Sequence, residues 1–415
     1  MKSVGIVGGG ISGLFSAYYL LEYGCEVTVI EQGSFQDGCS FGNAGMIVPS
    51  HIIPLAQPGM ITKGMRWMLS YESPFYVKPR LNWGLMKWGY LFWKHSTEAH
   101  VHRSIPVLRD LSLLSRQLFQ ELAMRGDFDF GWQEKGLFML FKNQETRHEM
   151  QEEAHVANRA GIEAQVLSSQ EVQAMEPDVQ VNVEGAVYYP GDAHIYPNQL
   201  MDGLVAYLKN KGVRFLENHS VKDFAVQGNS VKSVVTSGGT FSYDEIVLAA
   251  GAWSPELSEK LGVSLPLQGG KGYSFFTSDL TNNIRIPAIM LEARATATPM
   301  GGGLRFAGTL EVAGTDRSVN MSRVKGIHNS INQYYPDLKV PFPKEADVWR
   351  GLRPCSPDGL PYIGRAGRFS NVILATGHGM MGVSLGPATG KLVSELVTNQ
   401  PTSMALPALD PLRFS

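Results

Sequence analysis

The chain has 415 residues, room for two to three domains at about 100–200 residues each. With 44% hydrophobic and 18% charged residues there is enough apolar surface to exclude disorder over most of the chain. The net charge of −2 shows no basic excess of the kind that nucleic-acid binding requires. Three cysteines (Cys25, Cys39 and Cys355), with no CxxC spacing, give neither a disulfide framework nor a thiolate metal site and fit a reducing compartment.

The N-terminal MKSVGIVGGG lacks the apolar core and cleavage site of a signal peptide, and no run of about 18 apolar residues follows. A cytoplasmic protein is therefore expected. Val4–Val7 is a short apolar strand, Ile11 to about Tyr23 has apolar residues at helical spacing until Gly24, and Glu26–Ile30 alternates like a strand. Pro54 to His95 differs in character. It holds Trp67, Trp83, Trp88 and Trp93, four of the seven tryptophans. Ser104 to Arg125 has a helical period, and the histidines just before it (His95, His100, His102) lack metal-ligand spacing and read as surface or interface residues.

Further on, Val187–Tyr189 reads as a strand, Pro197 opens a helix, and Val213–Leu216 is a strand again. A hairpin is expected across Ser237-Gly238-Gly239, then a buried strand Glu245–Ala250 ending at Gly251. Strand-like runs with Gly-rich turns extend from Leu265 to about Gly308, Val372–Thr376 is an apolar strand ending at Gly377, a helix runs from about Pro387 to Val397, and the residues from Pro401 read as a tail. Strands of one type thus recur at the beginning, middle and end of the chain. The expected fold is α/β and α+β: a discontinuous Rossmann-like domain (1–70, 150–262 and 350–415) with an inserted antiparallel-sheet substrate domain (71–149 and 263–349).

Gly8-Gly9-Gly10-Ile11-Ser12-Gly13 is a GxGxxG between strand and helix. In such a motif Gly8 makes the tight turn, Gly10 lets the backbone approach a pyrophosphate, and Gly13 lets helix and strand pack closely. The helix N-terminus faces the phosphates. Glu31 ends the second strand, 18 residues after Gly13, where a carboxylate accepts hydrogen bonds from ribose. The motif does not separate NAD from FAD. The scatter of the strands over the whole chain favours a flavin held by distant segments.

The sequence also resembles the FAD-dependent D-amino-acid oxidase superfamily, most closely the D-amino-acid dehydrogenases and glycine oxidases. Four blocks carry the resemblance: the fingerprint through Glu31, the Ser40-Phe41-Gly42-Asn43-Ala44-Gly45 block, Gly185 to Pro197 with the following helix, and Trp349-Arg350-Gly351-Leu352-Arg353-Pro354 through Gly379. It implies FAD contacts at Ile11, Ser12, Glu31, Gln32, Cys39 and Ser40, and at Ala44, Gly45 and Met46 beside the ring system. It places Val221 at the adenine, and His378, Gly379, Met380, Met381, Gly382, Val383 and Ser384 along the pyrimidine edge. Gly8, Gly10, Gly13 and Gly251 complete the cofactor-binding set. The Gly377–Gly382 loop precedes a helix, so its N–H groups suit the edge where charge accumulates on reduction.

Arg353 matches the arginine that clamps the substrate carboxylate, since a guanidinium holds a carboxylate through two parallel hydrogen bonds. The competing reading is a structural ion pair. Glycine oxidases carry a second basic residue where Met380 stands, and their substrate-facing tyrosine aligns near Thr296, so that pattern is half present. Sarcosine oxidases attach flavin through a cysteine at the Gly351 position; Cys355 lies four residues on, so non-covalent FAD is expected and Cys355 reads as a small buried residue.

Tyr273 has two readings, a hydroxyl bonding the substrate or a packed core residue. His51 is a further candidate facing the flavin. The tryptophan-rich stretch is either core and lid or a membrane-interface patch. No metal is expected.

The resulting expectation is oxidation of a neutral D-amino acid, D-proline or hydroxy-D-proline among them, at Cα–N by hydride transfer to FAD, giving an imino acid that hydrolyses to a 2-oxo acid. The alternatives are a glycine or sarcosine-type oxidase and the catalytic subunit of a multi-subunit amine dehydrogenase. The electron acceptor is either a quinone of a respiratory chain or O2, the former with a peripheral contact on the inner face of the membrane.

Overall fold

A computed structural model describes residues 1–68, 75–77, 82–278 and 280–415. The Trp67 side chain and the domain boundary expected at 70/71 lie outside the described residues. The first sheet has six strands in the order Tyr362–Arg365, Val372–Thr376, Glu245–Leu248, Ser3–Val7, Glu26–Ile30 and Arg214–Leu216. All neighbouring strands are parallel except Tyr362–Arg365, which runs antiparallel at the edge. Parallel strands are buried on both faces and so read as unbroken apolar runs. Val372–Thr376 and Glu245–Leu248 are buried at every position. All five parallel strands correspond to runs visible in the sequence, brought together from residues 3 to 376.

The Ile11–Glu22 and Gly386–Thr398 helices pack against one another. The Glu98–Arg125 helix joins the same core through Leu111, Leu118 and Phe119, beside Leu14 and Phe15. The sequence-based division places this helix with the substrate domain. Its period shows which face is apolar, but which core that face meets is decided by the tertiary fold.

The larger, nine-stranded sheet runs Trp349–Cys355, Gln268–Thr277, Gly303–Val312, Ala295–Met300, Ala288–Met290, Leu137–Phe141, Gly185–Tyr189 and Gln165–Ser168, with Phe75–Val77 parallel beside Gly303–Val312. It is mostly antiparallel, but Ala288–Met290 and Leu137–Phe141 run parallel. The two strands within 165–189 belong here and not with the nucleotide-binding segments, to which sequence assigned them. The Met321–Tyr334 helix covers one face, packing Val324 and Ile327 into a core with Tyr273 and Phe275. The other face looks toward the six-stranded sheet. The Trp349–Cys355 strand crosses between the two, since Cys355 bridges to His378 just after the first sheet's Val372–Thr376 strand. A three-stranded meander, Val221–Gln227, Ser230–Thr236 and Gly239–Phe241, contains the expected hairpin at 237–239.

Two surface readings change. His100 is buried, its Nε2 2.8 Å from the Asp358 carbonyl oxygen. The C-terminal segment is docked: Leu409 is fully buried, and Arg413 pairs with the Asp358 carboxylate at 2.7 Å.

Candidate active site

A cavity of about 1800 Å³ lies between the two sheets, larger than the roughly 300–1,000 Å³ of a typical small-molecule pocket and roomy enough for a dinucleotide and a second ligand. Of the expected cofactor residues, Gly8, Gly10, Ile11, Ser12, Glu31, Gln32, Cys39, Ser40, Ala44, Met46, Val221, Gly251 and His378 to Val383 line it. Gly13, Gly45 and Ser384 do not.

The reasons are local. Gly8 has φ +112°, and a Cβ on Gly13 would stand 2.0 Å from the Gly8 carbonyl oxygen, so this pair shapes the strand-to-helix turn from behind. A Cβ on Gly10 would meet only Ser40 Oγ at 3.7 Å, so that glycine presents its backbone to the cavity. Gly45 N is held by Asn43 Oδ1 at 2.8 Å, and a Cβ on Gly45 would come 2.3 Å from the Ile195 carbonyl oxygen. Ser384 Oγ accepts from Val48 N at 3.0 Å and its carbonyl accepts from Ser115, which makes it a brace between segments.

The Glu31 carboxylate accepts from Gly9 N at 2.8 Å and Gly33 N at 3.0 Å, one bond on each oxygen, and each oxygen retains a lone pair. Ile11 N donates to Ser40 Oγ at 3.1 Å. An open glycine backbone at the start of a helix, with an anchored carboxylate at the end of the next strand, fits a dinucleotide pyrophosphate and ribose. Sequence reasoning missed how the Ser40–Gly45 block is secured. Ser274 Oγ donates to the Gly42 carbonyl at 2.7 Å and Arg305 Nη1 to the Asn43 carbonyl at 2.9 Å, both from the large sheet. Burial pushes the Arg305 guanidinium down to about 10.

His378 is buried and neutral, its pKa pushed down to about 4 by desolvation. Its Nε2 donates to Thr389 Oγ1 at 2.8 Å, because the Thr389 hydroxyl proton goes to the Leu385 carbonyl. A short 3-10 turn, Gly379–Met381, stands between this histidine and the Gly386–Thr398 helix.

Arg353 enters the cavity from the Trp349–Cys355 strand and lies flat on Gly272 of the neighbouring strand. A Cβ on Gly272 would be 2.3 Å from both Nη1 and Nη2. Thr309, with φ +66°, turns its carbonyl to accept from Arg353 Nη1 at 2.5 Å. Among the described residues no carboxylate lies within salt-bridge distance of this guanidinium. Burial lowers its pKa, with the two thiols Cys39 and Cys355 opposing that shift.

Tyr273 borders the cavity, but its hydroxyl takes the packed-core reading. Neighbouring positions alternate across the sheet, so Gly272 and Ser274 face the cofactor side and Tyr273 the opposite side. Its hydroxyl donates to Glu311 Oε2 and accepts from Asn320 N, both at 3.2 Å, and burial raises its pKa. It serves the Lys271–Glu311–Arg323 charge cluster. His51 lines the cavity, but its connections run through Ser50 to Asp192, which sequence reasoning did not single out. The acids of the Gln144–Arg159 helix were missed as well. Glu149 and Glu153 line the outer cavity with Lys63 and Arg294, on a helix whose polar face reads as ordinary solvated surface.

The family model for FAD-dependent oxidoreductases matches residues 3–396. The chain belongs to the FAD-dependent oxidoreductase family. It is 30% identical over 396 residues to a D-amino acid dehydrogenase of Helicobacter pylori, spanning 95% of this chain and 94% of that one. It is 31% identical over 411 residues to a D-amino acid dehydrogenase of Vibrio vulnificus, spanning 96% of each. Among solved structures, a glycine oxidase from Geobacillus kaustophilus superposes with TM-score 0.80 at 24% identity over all of both chains. An L-proline dehydrogenase from P. horikoshii superposes with TM-score 0.78 at 20% identity, over 100% of this chain and 97% of that one; these two show the fold. This FAD-dependent oxidoreductase is an FAD-using amino-acid dehydrogenase or oxidase. Among the described residues no helix is long and apolar enough to cross a membrane.

Proposed function

We propose that this enzyme oxidises a neutral D-amino acid at the Cα–N bond, yielding an imino acid that water converts to the 2-oxo acid and ammonia; with D-proline or hydroxy-D-proline the product stops at the cyclic imine. The observation that carries the reading is the half-buried Arg353 guanidinium, presented to the cavity with one described backbone acceptor and no described acid. An isolated buried cation is costly unless an anion pairs with it, and a planar carboxylate is the complementary partner. Bound FAD supplies the hydride acceptor. The D configuration is supported by the names of relatives at about 30% identity that span nearly the whole chain.

A neutral side chain is supported by the engagement of several charges that line the cavity. Glu149 pairs with Lys63 at 2.7 Å, Glu292 accepts from Tyr334 at 2.5 Å, and Arg294 acts electrostatically on Glu153. Non-covalent cofactor binding is supported by the thiols. Burial pushes both Cys39 and Cys355 up to about 11, so neither is a thiolate nucleophile at neutral pH.

A membrane quinone as electron acceptor is supported by the Trp83–His95 helix. Trp83, Met86, Tyr90 and Trp93 lie on one side of it, each more than half exposed, with Lys87 and Lys94 beside them. Tryptophan, tyrosine and lysine in such a stripe suit a lipid headgroup boundary. Co-sedimentation with anionic vesicles is expected and should be lost on Trp83→Ser with Trp93→Ser.

The deciding experiment is an anaerobic titration of the holoenzyme with a panel of D- and L-amino acids, including proline and hydroxyproline. Bleaching of the flavin by a D-substrate is the expected result. Bleaching by L-substrates only would sink the stereochemical assignment, and rapid hydrogen peroxide formation with sarcosine would favour the glycine or sarcosine-type oxidase.

A further inference from the structure

Asp192, Ser50 and His51 form a hydrogen-bonded line that ends in the cavity. Ser50 donates to Asp192 twice, from its backbone N at 3.1 Å and from Oγ at 2.6 Å. His51 Nδ1 lies 3.1 Å from the same Ser50 Oγ. With the serine proton committed to the carboxylate, its oxygen accepts, so the histidine proton sits on Nδ1. His51 Nε2 is left with a bare lone pair, and it makes no hydrogen bond to a described residue. The ring lines the cavity that holds Arg353. Asp192 is fully buried, in the turn after the Gly185–Tyr189 strand. The cation that acts on it, Arg116, is bound to the Gly191 carbonyl and to Glu134.

We propose that this line is a proton relay in which His51 Nε2 takes the proton that the substrate's α-ammonium must lose before oxidation, and Asp192 receives the proton at the far end. This rests on the amino-acid reading above. One ammonium N–H bond breaks as an N–H bond forms at Nε2. The Nδ1 proton passes to Ser50 Oγ, and the serine's original proton passes to Asp192 Oδ2. No electrons are gained or lost in this step. The substrate is left as the neutral amine, whose lone pair forms the C=N bond when Cα gives up hydride in the flavin-dependent reaction. His51 is the catalytic residue; Ser50 and Asp192 are positioning residues that act through it.

Burial explains why a relay is used and not histidine by itself. An imidazolium at this place is disfavoured, since desolvation pushes His51 down to about 4. The same burial pushes the Asp192 carboxyl up to about 7, against the two Ser50 hydrogen bonds. Passing the proton through to Asp192 neutralises a buried carboxylate and leaves no buried cation behind. The charged groups that line the same cavity include Arg353, Arg294, Glu153 and the Lys63–Glu149 pair. None of them shifts its pKa, for which burial is the only cause.

The test is the anaerobic rate of flavin reduction by the enzyme's own substrate, from about pH 6 to about pH 10, in the wild-type holoenzyme, His51→Asn and Asp192→Asn. The wild-type rate should rise through an ionisation near pH 7, because Asp192 must be unprotonated to accept. His51→Asn should be about 10²–10⁴-fold slower near neutral pH and approach the wild-type rate at the alkaline end, where the substrate's own amine deprotonates. Asp192→Asn should lose the limb near pH 7. A carboxylate ligand that lacks the amine, followed by its perturbation of the flavin spectrum, should bind all variants equally, because Arg353 holds it. A His51→Asn enzyme equally slow at both ends of the range would overturn the relay, and so would the wild-type limb persisting in both variants. Should Asp192→Asn fail to fold, Ser50→Ala breaks the same line, and a wild-type profile there is equally decisive against it. A wild-type flavin that no amino acid bleaches removes the parent reading and the relay together, whereas a bleached flavin with an unaltered His51→Asn profile removes the relay only.

Discussion

Replacing Arg353 with methionine should separate catalysis from stability. The substitution keeps a flexible apolar stem of similar length and deletes the cation. Among the described residues the guanidinium makes one hydrogen bond, to the Thr309 carbonyl at 2.5 Å, and has no ion-pair partner. Losing that bond costs ~1.5–3 kcal/mol, while removing a half-buried charge with no described partner returns a desolvation penalty of the same order, so the two roughly offset. Thermal unfolding should therefore show a nearly unchanged Tm with a full complement of FAD. The substrate sees a different balance. Its carboxylate enters the same cavity and finds no cation, at a cost of ~3–5 kcal/mol for a buried charge deprived of its partner. That corresponds to a fall in kcat/KM of about 10²–10⁴-fold. The measurements are Tm, flavin content and kcat/KM on the same preparation. A Tm lowered by more than about 5 °C, or a kcat/KM within about tenfold of wild type, would refute the reasoning and make Arg353 a structural residue.

Three other outcomes are expected. Gly13→Ala places a Cβ 2.0 Å from the Gly8 carbonyl oxygen, so the purified protein should carry little flavin, read from its visible absorbance; full occupancy would contradict the close packing described for that turn. Tyr273→Phe removes a hydroxyl that bridges Glu311 and Asn320 N; it should lower stability by ~1–3 kcal/mol, read from the denaturant midpoint, and leave kcat/KM within about twofold, whereas a loss above tenfold would return Tyr273 to the substrate. Glu176→Gln should flatten the pH dependence of stability. Burial raises the Glu176 carboxyl from 4.5 to about 7 while its oxygens accept from Arg285 N and Ile286 N. The folded state therefore binds more protons than the unfolded one between these values. The stabilisation is complete below the unfolded pKa and lost as pH rises through 7, a span of up to about 3 kcal/mol. Chemical denaturation at about pH 5 and about pH 8 should show a smaller difference in the variant, and an identical difference would assign the slope elsewhere.

Much of the cofactor half is legible in the residues because its constraints are local. A strand, three glycines at fixed spacing and a carboxylate at the next strand's end are consecutive in the chain, and backbone geometry dictates the residue types. The parallel strands announce themselves as apolar runs because both of their faces are covered. The residues that turn a cavity into a reaction site are less legible. Tyr273 and Gly272 are adjacent, and only the pleat register decides that Gly272 faces Arg353 while Tyr273 faces away. Asp192 and Ser50 are 142 residues apart, and neither stands in a spacing that signals chemistry.

By itself, then, the sequence determined the glycine turn between the first strand and helix and most of the strands of the first sheet, because each depends on neighbours a few positions away, whereas Arg353 was marked only through the family resemblance. The tertiary structure decided which core the Glu98–Arg125 helix joins, that the strands within 165–189 belong to the large sheet, and that His51 is tied to a buried carboxylate. The physical reason is that burial and pairing are properties of surfaces meeting across the fold. A carboxylate such as Asp192 acquires its raised pKa only when distant segments close over it and exclude water.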